Sequence, residues 1–79
     1  MPHNLEAEES LLGAMLLSRE AVSMGLERTA AADFYKPAHG HVFQSIVSLN
    51  ARGEPIDLVT VAEELRRADL LEEIGRAHV

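Results

Sequence analysis

The sequence predicts an all-α fold with about four main helices and short helical turns between them. Apolar residues recur at spacings of three and four throughout the chain, which is the pattern of helices that each bury one face. No stretch of strand length alternates between apolar and polar residues. A chain of 79 residues allows one domain, so we expect the helices to share one core.

The first helix is predicted over residues 4–18. Asn4 can cap its start, because the side-chain oxygen can accept a hydrogen bond from a backbone N–H of the first turn. The acids that follow, where the helix dipole favours negative charge, are Glu6, Glu8 and Glu9. The apolar stripe consists of Leu5, Leu12, Met15 and Leu16, widened by Ala7, Leu11 and Ala14. Gly13 costs about 1 kcal/mol relative to alanine at mid-helix, so we expect a second helix to cross closely there.

The second helix is predicted over residues 19–28, and Ser18 can both end the first helix and cap the second. The residues expected to face inward are Val22, Leu26 and Met24. Gly25 weakens this helix. Thr29 can then cap a short turn over residues 30–33.

Two of the three aromatic residues, Phe34 and Tyr35, follow side by side. Each ring can bury roughly 150–250 Å², so we expect the pair to anchor the core. The alternative is an aromatic side chain that faces a partner, for which Tyr35 is the stronger candidate.

The third helix is predicted over residues 37–52, with Pro37 in its first turn, where the missing N–H costs nothing. Its stripe consists of Val42, Phe43, Ile46 and Leu49, flanked by Val47. Gly53 suits the left-handed position just past the end of this helix.

Asp57 is predicted to cap the fourth helix. The residues expected to be buried on it are Leu58, Val61, Ala62 and Leu65. Arg66 and Arg67 would lie in its last turn, where the helix dipole favours cations. A separate short helical piece would then contain Leu70, Leu71 and Ile74.

Charge and composition exclude several classes of protein. The net charge is −6, with 13 acids against 7 bases, which argues against direct DNA binding by this chain. No apolar run is long enough to span a membrane and no secretory signal is present, so a cytoplasmic location is expected. With no cysteine to staple so small a core, the chain is expected to depend on partner subunits.

We expect no catalytic, cofactor or metal site in this chain. Its five glycines form neither a phosphate loop nor a dinucleotide-binding turn, and no serine has a plausible histidine and acid partner. His39 and His41 would point about 200° apart on a helix and could not share one ion. The acid pairs Glu63–Glu64 and Glu72–Glu73 are expected to be solvated surface. A helix-turn-helix DNA reader is disfavoured because the third helix lacks a basic cluster.

Four motifs stand in order along the chain. They are PHNLEAEESLLGAMLLS (residues 2–18), DFYKPAHGHVF (33–43), GEPIDLVTVAEEL (53–65) and LLEEIG (70–75). Together they resemble the N-terminal domain of the bacterial replicative DNA helicase, the DnaB family, over nearly the whole chain.

The resemblance implies a compact orthogonal helical bundle that is the head of a helicase N-terminal domain, spanning residues 1–79. In that family the parent is a hexameric ATP-dependent DNA helicase, and ATP and Mg²⁺ bind a RecA-like motor domain. A helical hairpin, a linker and that motor would lie beyond this chain. The head itself would contribute to the N-terminal collar with neighbouring subunits and would dock the C-terminal helicase-binding domain of primase.

The partner interface is expected to include Glu6, Glu9, Tyr35 and Val79. Glu6 matches an acidic family position near the docking face, whereas Val79 stands where an aromatic residue is usual. Asp69 replaces a frequent glycine after the fourth helix, where its tolerance of the left-handed conformation would preserve the turn. The alternative function is a standalone helical adaptor derived from a helicase but without a motor.

Overall fold

The chain folds as an all-α bundle, as the sequence predicts. The computed structural model describes residues 4–77, with side chains through residue 69, and no strand occurs in that part of the chain. The helices are α1 (Leu5–Leu17), α2 (Arg19–Arg28), α3 (Pro37–Ala51) and α4 (Leu58–Ala77), with a 3-10 turn (Ala31–Asp33) before α3. None of the helices described is long and apolar enough to cross a membrane.

Side-chain caps fix the start of α1 and the turn between α1 and α2. The Oδ1 atom of Asn4 accepts a hydrogen bond from the Ala7 N–H at 3.0 Å, which confirms the predicted start of α1. Ser18 ends α1 by donating its N–H to the Ala14 carbonyl, and its Oγ accepts from the Ala21 N–H at 3.3 Å. A single residue therefore separates α1 from α2.

The predicted signals around α3 and α4 are also confirmed. Pro37 is the first residue of α3, and Gly53 adopts a φ of 69° just past its end. Asp57 Oδ1 accepts from the Thr60 N–H at 2.9 Å, while the Asp57 N–H donates to Thr60 Oγ1 at 3.0 Å. This reciprocal pair fixes the start of α4 in the manner of a capping box.

One core collects residues from all four helices. Its buried apolar members are Leu12, Met15, Val22, Phe43, Ile46, Leu49 and Val61. The ring of Phe34 packs on that of Phe43 with centroids 5.2 Å apart, so Phe34 is the core aromatic of the predicted pair. Tyr35 is 60% exposed and does not anchor the core.

The close approach expected at Gly13 is wrong, because a Cβ at that position would meet nothing within 4 Å. Close approaches occur instead at Gly25 and Gly40. A Cβ on Gly25 would lie 2.8 Å from Met15 Sδ, and one on Gly40 would lie 3.0 Å from the Ala31 carbonyl oxygen. Glycine at position 25 leaves room for the Met15 side chain against α2. Glycine at position 40 lets the 3-10 turn pack directly against α3.

Several predicted positions on the helix faces are also wrong. Met24 is exposed because Val22 and Gly25 define the inward face of α2, and Met24 lies about 100° from Gly25 around the helix. Leu58 is 73% exposed and Ala62 is exposed as well, because α4 turns a narrower face to the core than its apolar residues suggest. Among the side chains that the structure describes on α4, Val61 alone is buried.

Two predicted turns differ in the structure. Thr29 ends α2 but does not cap the following turn, which is closed by Asp33 Oδ2 accepting from the Ala30 N–H at 2.8 Å. The predicted break near Asp69 is absent, since α4 continues to Ala77 and no non-glycine residue described has a positive φ. Arg66 and Arg67 consequently lie within α4 rather than in its last turn. The side chains predicted for the last piece, Leu70, Leu71 and Ile74, lie outside those described.

Alanine substitutions of Gly13, which faces open space, and of Gly40, which faces a backbone carbonyl, test this packing. Gly13→Ala should raise the free energy of unfolding by up to about 1 kcal/mol, because the new methyl group enters open space and alanine favours the helix. Gly40→Ala should lower it by about 1–3 kcal/mol, because the methyl group meets a backbone carbonyl. Urea unfolding followed by circular dichroism measures both changes. A stabilising Gly40→Ala would contradict the close approach of the 3-10 turn to α3.

Candidate partner-binding surface

A carboxylate from α1 and an imidazole from α3 meet at the edge of the core. Glu8 Oε1 lies 2.8 Å from His39 Nδ1, and the two side chains are 13% and 11% exposed. An ionised carboxylate can only accept hydrogen bonds, so His39 Nδ1 carries the proton that is shared in this contact. No buried polar side-chain atom described in the structure lacks a hydrogen-bond partner.

The same carboxylate holds the segment that leads into α3. Glu8 Oε2 accepts from the Tyr35 N–H at 2.7 Å, and Oε1 also lies 3.4 Å from the Lys36 nitrogen, which donates a longer bond. Lys36 is the N-cap residue of α3 and its own side chain makes no capping bond. The acid from α1 therefore accepts hydrogen bonds from the last two amides before α3.

These contacts favour the charged form of Glu8. The hydrogen bond from Tyr35 is the largest cause that lowers the pKa of Glu8 below its ordinary value, and the bonds from His39 and Lys36 act in the same direction. Burial opposes the shift but is outweighed. Glu8 is thus an ionised acceptor at neutral pH.

The spacing of the sequence explains why this pair forms. Glu8 precedes Leu12 and Met15 by four and seven residues, so it lies on the buried face of α1. His39 precedes Phe43 and Ile46 by the same intervals on α3. Each helix therefore carries one polar group at the end of its apolar face.

The sequence prediction for Glu8 was wrong, because it grouped Glu8 with the exposed acids of the first turn. The spacing of Glu8 from Leu12 and Met15 could have predicted its pairing, because an acid that extends an apolar stripe needs a polar partner inside the fold.

The structure brings Glu9 and Tyr35 next to this pair. Glu9 is 65% exposed, and its Oε1 lies 3.9 Å from His39 Nε2. Glu6 is exposed three residues before Glu9, but it points about 200° around α1 from Glu8. Glu6 therefore lies beside Glu9 on α1 but away from Glu8. Val79, the fourth residue of the predicted interface, lies outside the described residues.

His39 and His41 do not converge on one site. His39 is buried against Glu8, whereas His41 is exposed beside a groove of about 270 Å³ that Glu64 and Asp69 also line. No group of three or more potential metal ligands gathers among the residues that the structure describes.

One acid expected to be solvated is instead paired. Glu64 is 15% exposed and forms a bidentate ion pair with Arg52, with N–O distances of 3.0 and 2.7 Å. The bond to Arg52 lowers the pKa of Glu64, and the bond to Glu64 raises that of Arg52. This pair ties α4 to the end of α3 that is remote from His39.

Comparison with known proteins gives consistent matches. The sequence matches the family described as "DnaB-like helicase N terminal domain" over residues 1–79. It is 54% identical over 76 residues to the replicative DNA helicase DnaB of Mycobacterium leprae (strain TN), and 45% identical over 74 residues to the replicative DNA helicase DnaC of Bacillus subtilis (strain 168). These alignments cover 96% and 94% of this chain but 13% and 16% of the relatives, so the chain spans a small part of their length.

A solved structure shares the fold. The crystal structure of the N-terminal domain of DnaB helicase from Mycobacterium tuberculosis superposes with a TM-score of 0.83 at 54% sequence identity. The match covers 94% of this chain and 51% of that chain.

Acid titration tests the charged state of Glu8. Because its folded-state pKa lies below the ordinary value of 4.5, the carboxylate stabilises the fold above that pH, and the contribution is lost as the pH falls through the lowered pKa. Glu8→Gln should lower stability at neutral pH and should flatten the decline below about pH 4.5.

Urea unfolding at a series of pH values measures the effect, and Glu6→Gln is the matched control in the same helical turn. A Glu8→Gln curve that runs parallel to the wild-type curve at every pH would contradict the assignment.

Proposed function

The chain belongs to the DnaB-like helicase N-terminal domain family, and from that membership we propose that it is a protein-interaction module of a replicative DNA helicase. It contributes to the N-terminal collar of the hexamer and docks the C-terminal helicase-binding domain of primase. In this proposal the module is not catalytic, and ATP and Mg²⁺ bind a motor domain of the parent helicase.

The observation that carries the docking proposal is the surface of Tyr35, Glu9 and Glu6. An exposed aromatic ring is typical of the residues that dominate binding energy at interfaces. The exposed carboxylates of Glu9 and Glu6 suit a partner with basic side chains, which they would attract and orient. The net charge of −6 supports a protein partner over direct contact with DNA.

Exposed apolar side chains support the collar proposal. Leu17 is 90% exposed at the end of α1, beside a groove of about 490 Å³ that Pro55 and Ile56 also line. Leu58 and Val59 are exposed at the start of α4. Contact between neighbouring heads would remove such side chains from water, which favours association.

Calorimetric titration with the primase domain tests docking. Glu6→Ala should weaken binding with stability nearly unchanged, because its side chain is exposed. Asn4→Ala should do the reverse, lowering stability by roughly 1 kcal/mol through loss of the helix cap. Glu63→Ala, which removes an exposed acid from α4, controls for net charge. If the folded wild-type chain does not bind, or if all three variants bind equally, this docking surface is wrong.

Sedimentation across a range of protein concentrations tests the collar contact. We expect the isolated head to be a monomer that dimerises weakly, and Leu17→Ser should weaken that dimer because it removes an exposed apolar contact. Gln44→Ser is the control, since Gln44 is exposed but polar. A monomer at every concentration would contradict pairing of the heads through these residues.

A further inference from the structure

We infer that Glu8 is a positioning residue for the partner surface: its carboxylate binds the Tyr35 N–H, the Lys36 N–H and His39 Nδ1, and so fixes the loop that presents Tyr35. This inference rests on the proposed docking function. It adds a residue that does not belong to the interface itself, because Glu8 is largely buried.

Other backbone bonds of the loop over residues 34–36 join near neighbours in the chain, since the Lys36 carbonyl accepts from the His39 N–H at 2.9 Å and from the Gly40 N–H at 3.3 Å. The Phe34 N–H donates to the Ala31 carbonyl at 3.3 Å, and Pro37 has no N–H to give. The next two amides, of Tyr35 and Lys36, both donate to Glu8. Their acceptor lies 27 and 28 residues earlier in the chain, so the Glu8 side chain attaches the loop to α1.

Tyr35 lies between two anchors. On one side the Phe34 ring packs on Phe43 in the core, and on the other the loop enters α3, where His39 also contacts Glu8. The backbone of Tyr35 is held in place while its side chain remains 60% exposed. A binding residue ordered in this way loses less conformational entropy when a partner engages it.

Amide hydrogen exchange of the unbound chain is the first measurement. Glu8→Ala should accelerate exchange at the Tyr35 and Lys36 amides by about tenfold or more relative to the core amides of Phe43 and Ile46. Asn4→Ala, which loosens the same end of α1 without touching the loop, should leave that ratio unchanged. An unchanged ratio in Glu8→Ala would overturn the inference.

Calorimetric titration with the primase domain is the second measurement. Glu8→Ala should weaken binding by about threefold to tenfold, whereas Asn4→Ala should bind like wild type. Equal binding by Glu8→Ala, despite faster loop exchange, would reduce Glu8 to a structural role and overturn the inference. Failure of the wild-type chain to bind would instead overturn the proposed function, and the inference with it.

Glu8→Gln keeps the test decisive if Glu8→Ala does not fold. It preserves the length of the side chain but leaves a single acceptor oxygen for the same donors. Its exchange ratio and its affinity should fall between those of wild type and the predictions for Glu8→Ala. Wild-type values for both would overturn the inference.

Discussion

The packing of α1 against α3 is the contact on which the rest of this structure depends. Each helix brings a polar residue followed by two buried apolar residues at the same spacing, and the polar residues, Glu8 and His39, meet at 2.8 Å. Sliding one helix by a turn, about 5.4 Å, would remove the carboxylate from its donors and leave it buried without partners. The pair therefore opposes a shift in the register of α1 against α3.

Glycine placement then determines which elements can approach this interface. Met15 reaches the core across Gly25, so α2 lies close to α1 after a corner of one residue. The 3-10 turn packs against α3 at Gly40, and this contact places the Phe34 ring against the Phe43 ring. Tyr35 is exposed as a consequence, because the ring of the preceding residue, Phe34, packs in the core. The exposure of the surface residue thus follows from the packing of the residue before it.

The features that were predictable from the sequence are those decided within about four residues of the chain. Asn4, Ser18 and Asp57 cap helices through bonds to amides three residues away, and Gly53 ends α3 through its own backbone conformation. Two of the predictions that were wrong depend on distant partners. The open space at Gly13 and the pairing of Glu64 with Arg52 require knowledge of which faces meet. The three partners of Glu8 are 27 to 31 residues away, so local chemistry alone could not identify them.

The bonds from the loop to Glu8 use the backbone amides of the loop rather than its side chains. Both donors at residues 35 and 36 are backbone amides, which every residue except proline provides. The side chain at position 35 can therefore change without removing either bond, provided that the new residue keeps its N–H. The carboxylate offers no such freedom, because one group serves two amides and an imidazole at once. The loop thus keeps its place when the exposed side chain at position 35 changes, but not when the largely buried Glu8 is replaced by a residue without these acceptors.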